Sequence, residues 1–268
     1  MHRRLGDSLH RLGCHYTLKK EVKETMRILL WAEQAKMRRS RTLWIAGFAT
    51  AMVAMIVVLQ GQFLYHGSRY IDGAYWLMTA AQSLGSIYVL PAMIALIGSY
   101  TICRERQEDT QKALDMIPVS QVQLLGAKMI WTGAFAIILY LSLFCVAAAV
   151  EAVLHVQALS LGGILEQVKI YILQGFFLFV AVAPIVALVA RMQKSYWLAL
   201  LFAEVYSFLA LFAGMNGLLR SLYPITAAFC LSGYYEATLP QMLLSALSMA
   251  GCAGTALLLL KREGRRER

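Results

Sequence analysis

Residues 104–128 read RERQEDTQKALDMIPVSQVQLLGAK and form the longest polar interruption between two hydrophobic runs in an otherwise apolar chain. The stretch opens on mixed charge, with Arg104, Glu105, Arg106, Glu108 and Asp109. It passes through an apolar patch of Ala113, Leu114, Met116 and Ile117, turns at Pro118, and runs directly into the next apolar segment. The patch reads as a short amphipathic helix. Pro118 ends it, because proline has no amide hydrogen and disfavours helix in the residue before it. An idle connection needs neither a helix nor a stop, so this element offers a small apolar face to something outside the apolar body.

That body decides the fold class. Of the 268 residues, 59% are hydrophobic and 15% are charged. Soluble domains hold about a quarter charged residues, so the chain reads as an all-α, multi-pass membrane protein. The formal net charge of +10 does not point to nucleic acid, because the basic residues flank apolar runs instead of lining an aromatic-studded groove. The cysteines (Cys14, Cys103, Cys145, Cys230 and Cys252) show no CxxC and no metal spacing. Cys103, Cys145 and Cys252 fall in or beside spans and read as small packing residues. No early apolar segment of the signal-peptide kind is visible in the first forty residues.

A helix needs ~20 apolar residues to cross the ~30 Å hydrocarbon core. Six stretches qualify: 43–65, 77–103, 127–150, 168–190, 196–218 and 241–260. Pro91 predicts a kink in the second, and Pro184 lies near the inner end of the fourth. Gln82, Ser83 and Gly85 blur the start of the second, and Gln174 blurs the fourth. Residues 1–18 read as a cytoplasmic tail and 261–268 as a basic cytoplasmic tail. Between 19 and 42, Val22, Met26, Leu29, Leu30 and Met37 recur at helical spacing. Lys19, Lys20, Lys23, Arg27, Lys36, Arg38, Arg39 and Arg41 supply cations around them. Such a helix lies in the headgroup plane, close to anionic lipid. Residues 219–240 are too apolar for a plain loop yet are broken by Pro224, Gly233 and Pro240. They read as short outer helices that dip partly into the bilayer. With both termini in the cytoplasm, 22 of the 25 Lys and Arg residues are inside, leaving Arg69, Lys169 and Arg220 outside. The positive-inside rule selects that orientation.

The chain carries no GxxxxGK[ST] loop, so it does not read as its own ATPase. HExxH, paired His/Cys clusters and GxSxG are absent as well, and nothing in the sequence suggests an enzyme or a bound cofactor or metal. One polar residue inside a span stands out. Glu204, within LLFAEVYSF, is a carboxylate in the middle of the fifth span. At such depth a charge costs roughly 2.5–3.5 kcal/mol on insertion scales and tends to face a bundle interior or a water-filled cavity. It reads as a contact for cationic substrate, as a proton-sensitive switch, or as a protonated carboxyl bonded to a neighbouring helix near Tyr206 and Ser207. Gln82, Gln174 and Asn216 read as interhelical hydrogen-bonding groups. Ala246, Ala250 and Gly254 recur every fourth residue and predict close helix packing.

Together these residues resemble the membrane subunit of an ABC-2 type exporter. Trp31, Ala32, Glu33 and then Lys36, Met37, Arg38, Arg39 and Ser40 look like that family's interfacial elbow helix before the first span. Glu108, Asp109, Thr110, Leu114, Ile117, Pro118, Val119, Ser120, Leu124, Leu125 and Lys128 look like its loop between spans two and three. The Pro-broken segment before the last span is similar to its outer re-entrant helices. Two positions depart from the pattern: Asp109 stands where glycine is usual, and Gln121 follows Ser120 where arginine is common. The size and the WAEQAKMRRS elbow look most like permeases of lantibiotic or bacteriocin self-protection, or of bacitracin-type export.

The resemblance implies a dimeric permease in the bacterial cytoplasmic membrane, with ATP and Mg bound by a separate subunit. The 104–128 loop becomes its coupling helix. Leu114, Ile117 and Val119 are then apolar anchors on the ATPase, with Glu105, Glu108 and Asp109 at the rim. Two other readings compete with it. One is a proton-coupled secondary transporter using Glu204, which would work alone. The other is a membrane protein that binds a peptide without moving it.

Overall fold

The computed structural model describes residues 24–38, 40, 42–65, 67–108, 119–192 and 196–266. Helix α1 covers 24–38. It is followed by α2 (Thr42–Gly61), a hairpin of β1 (Leu64–Tyr65) and β2 (Ser68–Arg69), α3 (Trp76–Leu84) and α4 (Leu90–Gln107). Next come the long helices α5 (Gln121–His155) and α6 (Leu161–Met192), then α7 (Trp197–Gly214). Two short helices, α8 (Gly217–Leu222) and α9 (Pro224–Ser232), lead to α10 (Leu239–Arg266). Among the described residues, six segments are long and apolar enough to cross a membrane: α2, α3 with α4, α5, α6, α7 and α10. The tail at 1–18, the first part of the amphipathic stretch, and Arg39, Asp109, Thr110, Leu114, Ile117 and Pro118 lie outside the described residues.

The second span is the centre of the bundle, with 78% of its apolar window buried against 22% for the sixth. It is not a continuous α-helix. A π-turn at Gly85–Val89 joins α3 to α4, just ahead of Pro91. Proline cannot donate to the carbonyl four residues back, so a wider turn there absorbs the missing bond. The kink expected at Pro91 is therefore prepared one turn earlier.

Apolar burial does not drive helices together in lipid, so close approach depends on small residues. Gly175 on α6 lies against the backbone of α5, where an added Cβ would stand 3.1 Å from Ile137 Cα. Gly98 on α4 would place one 3.0 Å from both Thr132 on α5 and Val186 on α6. The stripe expected to pack on the sixth span behaves differently. Ala246 and Ala250 are exposed, and a Cβ on Gly254 would meet nothing within 4 Å. The buried face of α10 is the neighbouring one, with Ser245, Met249 and Ala256, because Met249 seats against Ala181, Ala227 and Ala228.

Several ends differ from the sequence expectation for local reasons. The first span stops at Gly61, packed under Trp76 and Ile71, and the hairpin takes up 64–69. The third begins at Gln121 because Ser120 caps it. The Ser120 hydroxyl accepts from the Gln123 amide at 3.3 Å, and the Gln123 side chain accepts from the Ser120 amide at 3.2 Å. This reciprocal capping box closes two of the donors that a helix start leaves open. Ser120→Ala is expected to cost about 1 kcal/mol at that end, read as faster hydrogen exchange at Gln123 and Leu124 with the rest of α5 unchanged.

At the opposite end of α5, Glu151 is completely buried within the helix, not in a loop. Its Oε1 accepts from the Tyr75 amide at 2.7 Å and lies 3.1 Å from His155 Nδ1. Tyr75 has a left-handed φ of 65°, a conformation disfavoured for a bulky side chain. The bond to Glu151, and the one its hydroxyl accepts from the Ser160 amide at 2.8 Å, hold it there. Asn216 caps α8, accepting from Leu218 N at 3.1 Å, instead of bonding across helices. Gln82 is fully buried, and among the described residues neither of its amide atoms is hydrogen-bonded.

Candidate functional site

The 104–128 region is framed by two helix ends, and a third helix lies across them. On α1, Glu33, Lys36 and Met37 fall at i, i+3 and i+4 and so share one face. Met37 is buried, and Glu33 is 3% exposed. That face meets Glu105 near the end of α4 and Lys128 in the second turn of α5. The Ser40 amide closes α1 by bonding Met37 O at 2.8 Å. The Ser40 hydroxyl accepts from the Thr42 amide at 3.2 Å, so one serine joins α1 to the first span.

Lys128 is 1% exposed, which for a lysine demands partners. Its Nζ donates to Thr101 O at 2.7 Å, and it pairs with Glu105 Oε1 at 2.9 Å and Glu33 Oε1 at 3.2 Å. Three partners are all that an ammonium can serve. Lys36 Nζ reaches the same two oxygens, Glu105 Oε1 at 2.7 Å and Glu33 Oε1 at 3.3 Å. Two carboxylates and two ammoniums thus interlock, drawn from positions 33, 36, 105 and 128. Burial alone would lower the pKa of Lys36. Glu105 and Glu33 more than offset it, and the ammonium is held above its usual range. A raised lysine pKa contributes stability that is complete below the unfolded value and is lost only as pH climbs through the folded one. Lys36 therefore stays charged throughout the neutral range.

The rest of the joint is peripheral. Arg104 reaches Lys36 O at 3.4 Å and pairs with Glu108 at 2.8 Å. Glu108 is exposed. Glu105 is not at a rim: at 7% exposure its carboxylate turns inward and holds both lysines. Val119 and Ser120 are half-buried, and Ser120 serves as the cap described above. Trp31 and Arg38 lie on the outward side of α1, Trp31 being 69% exposed.

The joint thus brings together α1, the end of α4 and the start of α5, and Ser40 links α1 to the first span. Lys128 stood in the sequence only as the end of a loop motif. Its burial was missed because its partners lie 95 and 23 positions away. A lysine in the first turns of an apolar span was the available signal.

Glu204 sits apart from the joint. It is half-buried on α7, and among the described residues its carboxylate has no ion pair or hydrogen bond. Ser207 is buried with its hydroxyl unbonded. Tyr206 takes part through its carbonyl, which accepts from Tyr223 OH at 2.5 Å. The cysteines Cys103, Cys145, Cys230 and Cys252 are free thiols.

A family model described as "ABC-2 family transporter protein" matches residues 29–210. The match runs from within α1 through most of α7 and includes all four residues of the charged joint. No curated protein matches the chain.

Proposed function

The chain belongs to the ABC-2 transporter family, and from that premise we propose that it is the permease subunit of an ATP-driven exporter. It is a multi-pass membrane protein of a family whose members are transport components. In this reading it forms the translocation pathway as a dimer, with itself or with a sibling permease. It draws energy from a separate ATP-binding subunit that holds ATP and Mg. It sits in a bacterial cytoplasmic membrane with both termini inside, and it exports or clears an antimicrobial peptide, a drug or a lipid-like substrate.

The observation that carries the coupling role is the buried joint of Glu33, Lys36, Glu105 and Lys128. Charges are costly to bury, and this cost is met at the point where the loop facing the partner enters the bundle. ATP-driven closure of the partner dimer would move residues 109–118. The joint would convert that movement into a rigid-body displacement of α1, α4 and α5. The test is purification of the native complex in mild detergent, followed by reconstitution. An ATP-binding subunit in equal amount to the permease, with ATP turnover that responds to substrate, is the expected result. Transport by the chain alone, driven by a pH gradient without ATP, would overturn it.

That second outcome is the proton-coupled reading, and the unpaired Glu204 favours it. Within the exporter reading, Glu204 is a polar residue of the translocation path. Glu204→Gln is expected to leave the chain folded and even slightly stabilised, since an amide is cheaper than a carboxylate in the membrane. It should shift the pH dependence or the substrate stimulation of transport. An unchanged pH profile and unchanged stimulation would give Glu204 a purely structural role.

A further inference from the structure

We propose that the outward face of α1 and the first turns of the third span form a binding site for one anionic phospholipid of the leaflet on that side. A cavity of about 680 Å³ opens there, walled by α1, by Leu43 at the start of the first span, and by α5. Its size is within the ~300–1,000 Å³ typical of ligand sites.

The chemistry of the walls is divided as a phospholipid is. On the α1 side, Arg27 and Arg38 both line the cavity. Eleven positions separate them, about three helical turns, so they lie on one face. Both are exposed, and among the described residues neither makes an ion pair. On the α5 side the wall is apolar, with Ile130, Ala134 and Ile138 one above another. Ile130 to Ile138 covers about 12 Å at ~1.5 Å per residue, most of the ~15 Å that one leaflet contributes to the ~30 Å core. Trp31 stands 69% exposed at the mouth, as aromatic rings do at the headgroup level. Trp131 and Phe135, stacked at 5.5 Å, line the same cavity. Cations at one end and a leaflet-length apolar groove at the other fit a phosphate head with its acyl chain. They do not fit a second copy of this face, which would bring the same two arginines.

The site has a consequence because of what lies behind it. The opposite face of α1 carries Glu33 and Lys36 of the charged joint. A lipid in the groove therefore fixes from the outside the helix that the joint fixes from within. The inference rests on α1 lying at the membrane surface. Binding is read without any ATPase, so its failure and that of the exporter reading are separable.

The experiment uses the full purified chain in detergent. Phosphatidylglycerol is the probe, phosphatidylcholine the neutral control, and free glycerol phosphate the headgroup control, with bound lipid counted by native mass spectrometry. One phosphatidylglycerol per chain should survive conditions that strip phosphatidylcholine. Arg27→Gln with Arg38→Gln should weaken its retention roughly thirtyfold, the worth of two interfacial arginines. Ala134→Trp should fill the groove and cause a comparable loss with both arginines in place. Lys169→Gln, an exposed cation elsewhere, should change nothing. Equal retention of the two lipids overturns the proposal, as does an unaffected double-arginine variant. Displacement by glycerol phosphate at equal concentration would make this an anion site without an acyl groove. Lipid-free dimers that bury Trp131 would make the face an interface between copies, and both outcomes reject the lipid.

Discussion

Lys128→Met is expected to cost about 3–5 kcal/mol, the usual penalty for stripping one partner from a buried ion pair. Methionine keeps the unbranched stem, so the loss comes from the ammonium and not from a cavity. Thr101 O loses its lysine donor, and Glu33 Oε1 and Glu105 Oε1 each lose one of two. Lys36 alone is left to balance two carboxylates, and its own side chain is about a third exposed. The control is the double variant Lys128→Met with Glu105→Gln, which removes an anion together with the cation. It should be more stable than Lys128→Met alone, because the cost lies in the uncompensated charge. Thermal unfolding in detergent, followed through tryptophan fluorescence, measures both. A Lys128→Met chain as stable as the parent would mean that the network holds nothing together.

The same residue shows where the sequence was legible and where it was not. Six spans followed from run length and hydropathy, since each helix must be apolar over the bilayer thickness whatever its neighbours do. The ends of α5 did not, because a helix continues past the apolar zone wherever it is capped and packed. Ser120 and Gln123 do this at one end, and buried Glu151 at the other. Pairing across spans was equally hidden. Glu33 meets Lys128 only after two spans have turned back on themselves, and no periodicity encodes that contact. Glu105 was placed at a rim because it stands among charges in the sequence. It lies two residues before the end of α4 with its carboxylate against Lys36 and Lys128, while Glu108 is exposed just past that end. The small-residue stripe on α10 was visible as spacing, but spacing cannot say which of two adjacent faces meets Ala181 and Ala228.

Replacing Leu114 and Ile117 together by Asp is expected to abolish co-purification of the ATP-binding subunit while leaving the chain folded in the membrane. The apolar residues of 113–117 stand in the sequence between the end of α4 and the start of α5. In the exporter reading these side chains are the apolar anchors of the contact. Apolar anchors at the centre of an interface carry most of its energy, commonly ~2 kcal/mol or more each. Two carboxylates in their place add desolvation cost, so binding should fall by at least about a thousandfold. The charged joint lies among 33, 36, 105 and 128 and contains neither residue, so thermal stability should hold. Lys128→Met predicts the reverse pattern: the partner still binds, because its contact surface is untouched, but ATP turnover no longer follows substrate. Measuring co-purification and substrate-stimulated ATP turnover on both variants separates holding the partner from transmitting its motion. If the Leu114 and Ile117 variant retains the partner with coupled turnover, the 104–128 region is not where the two subunits meet. If Lys128→Met keeps full coupling, force enters the bundle by a route that bypasses the joint.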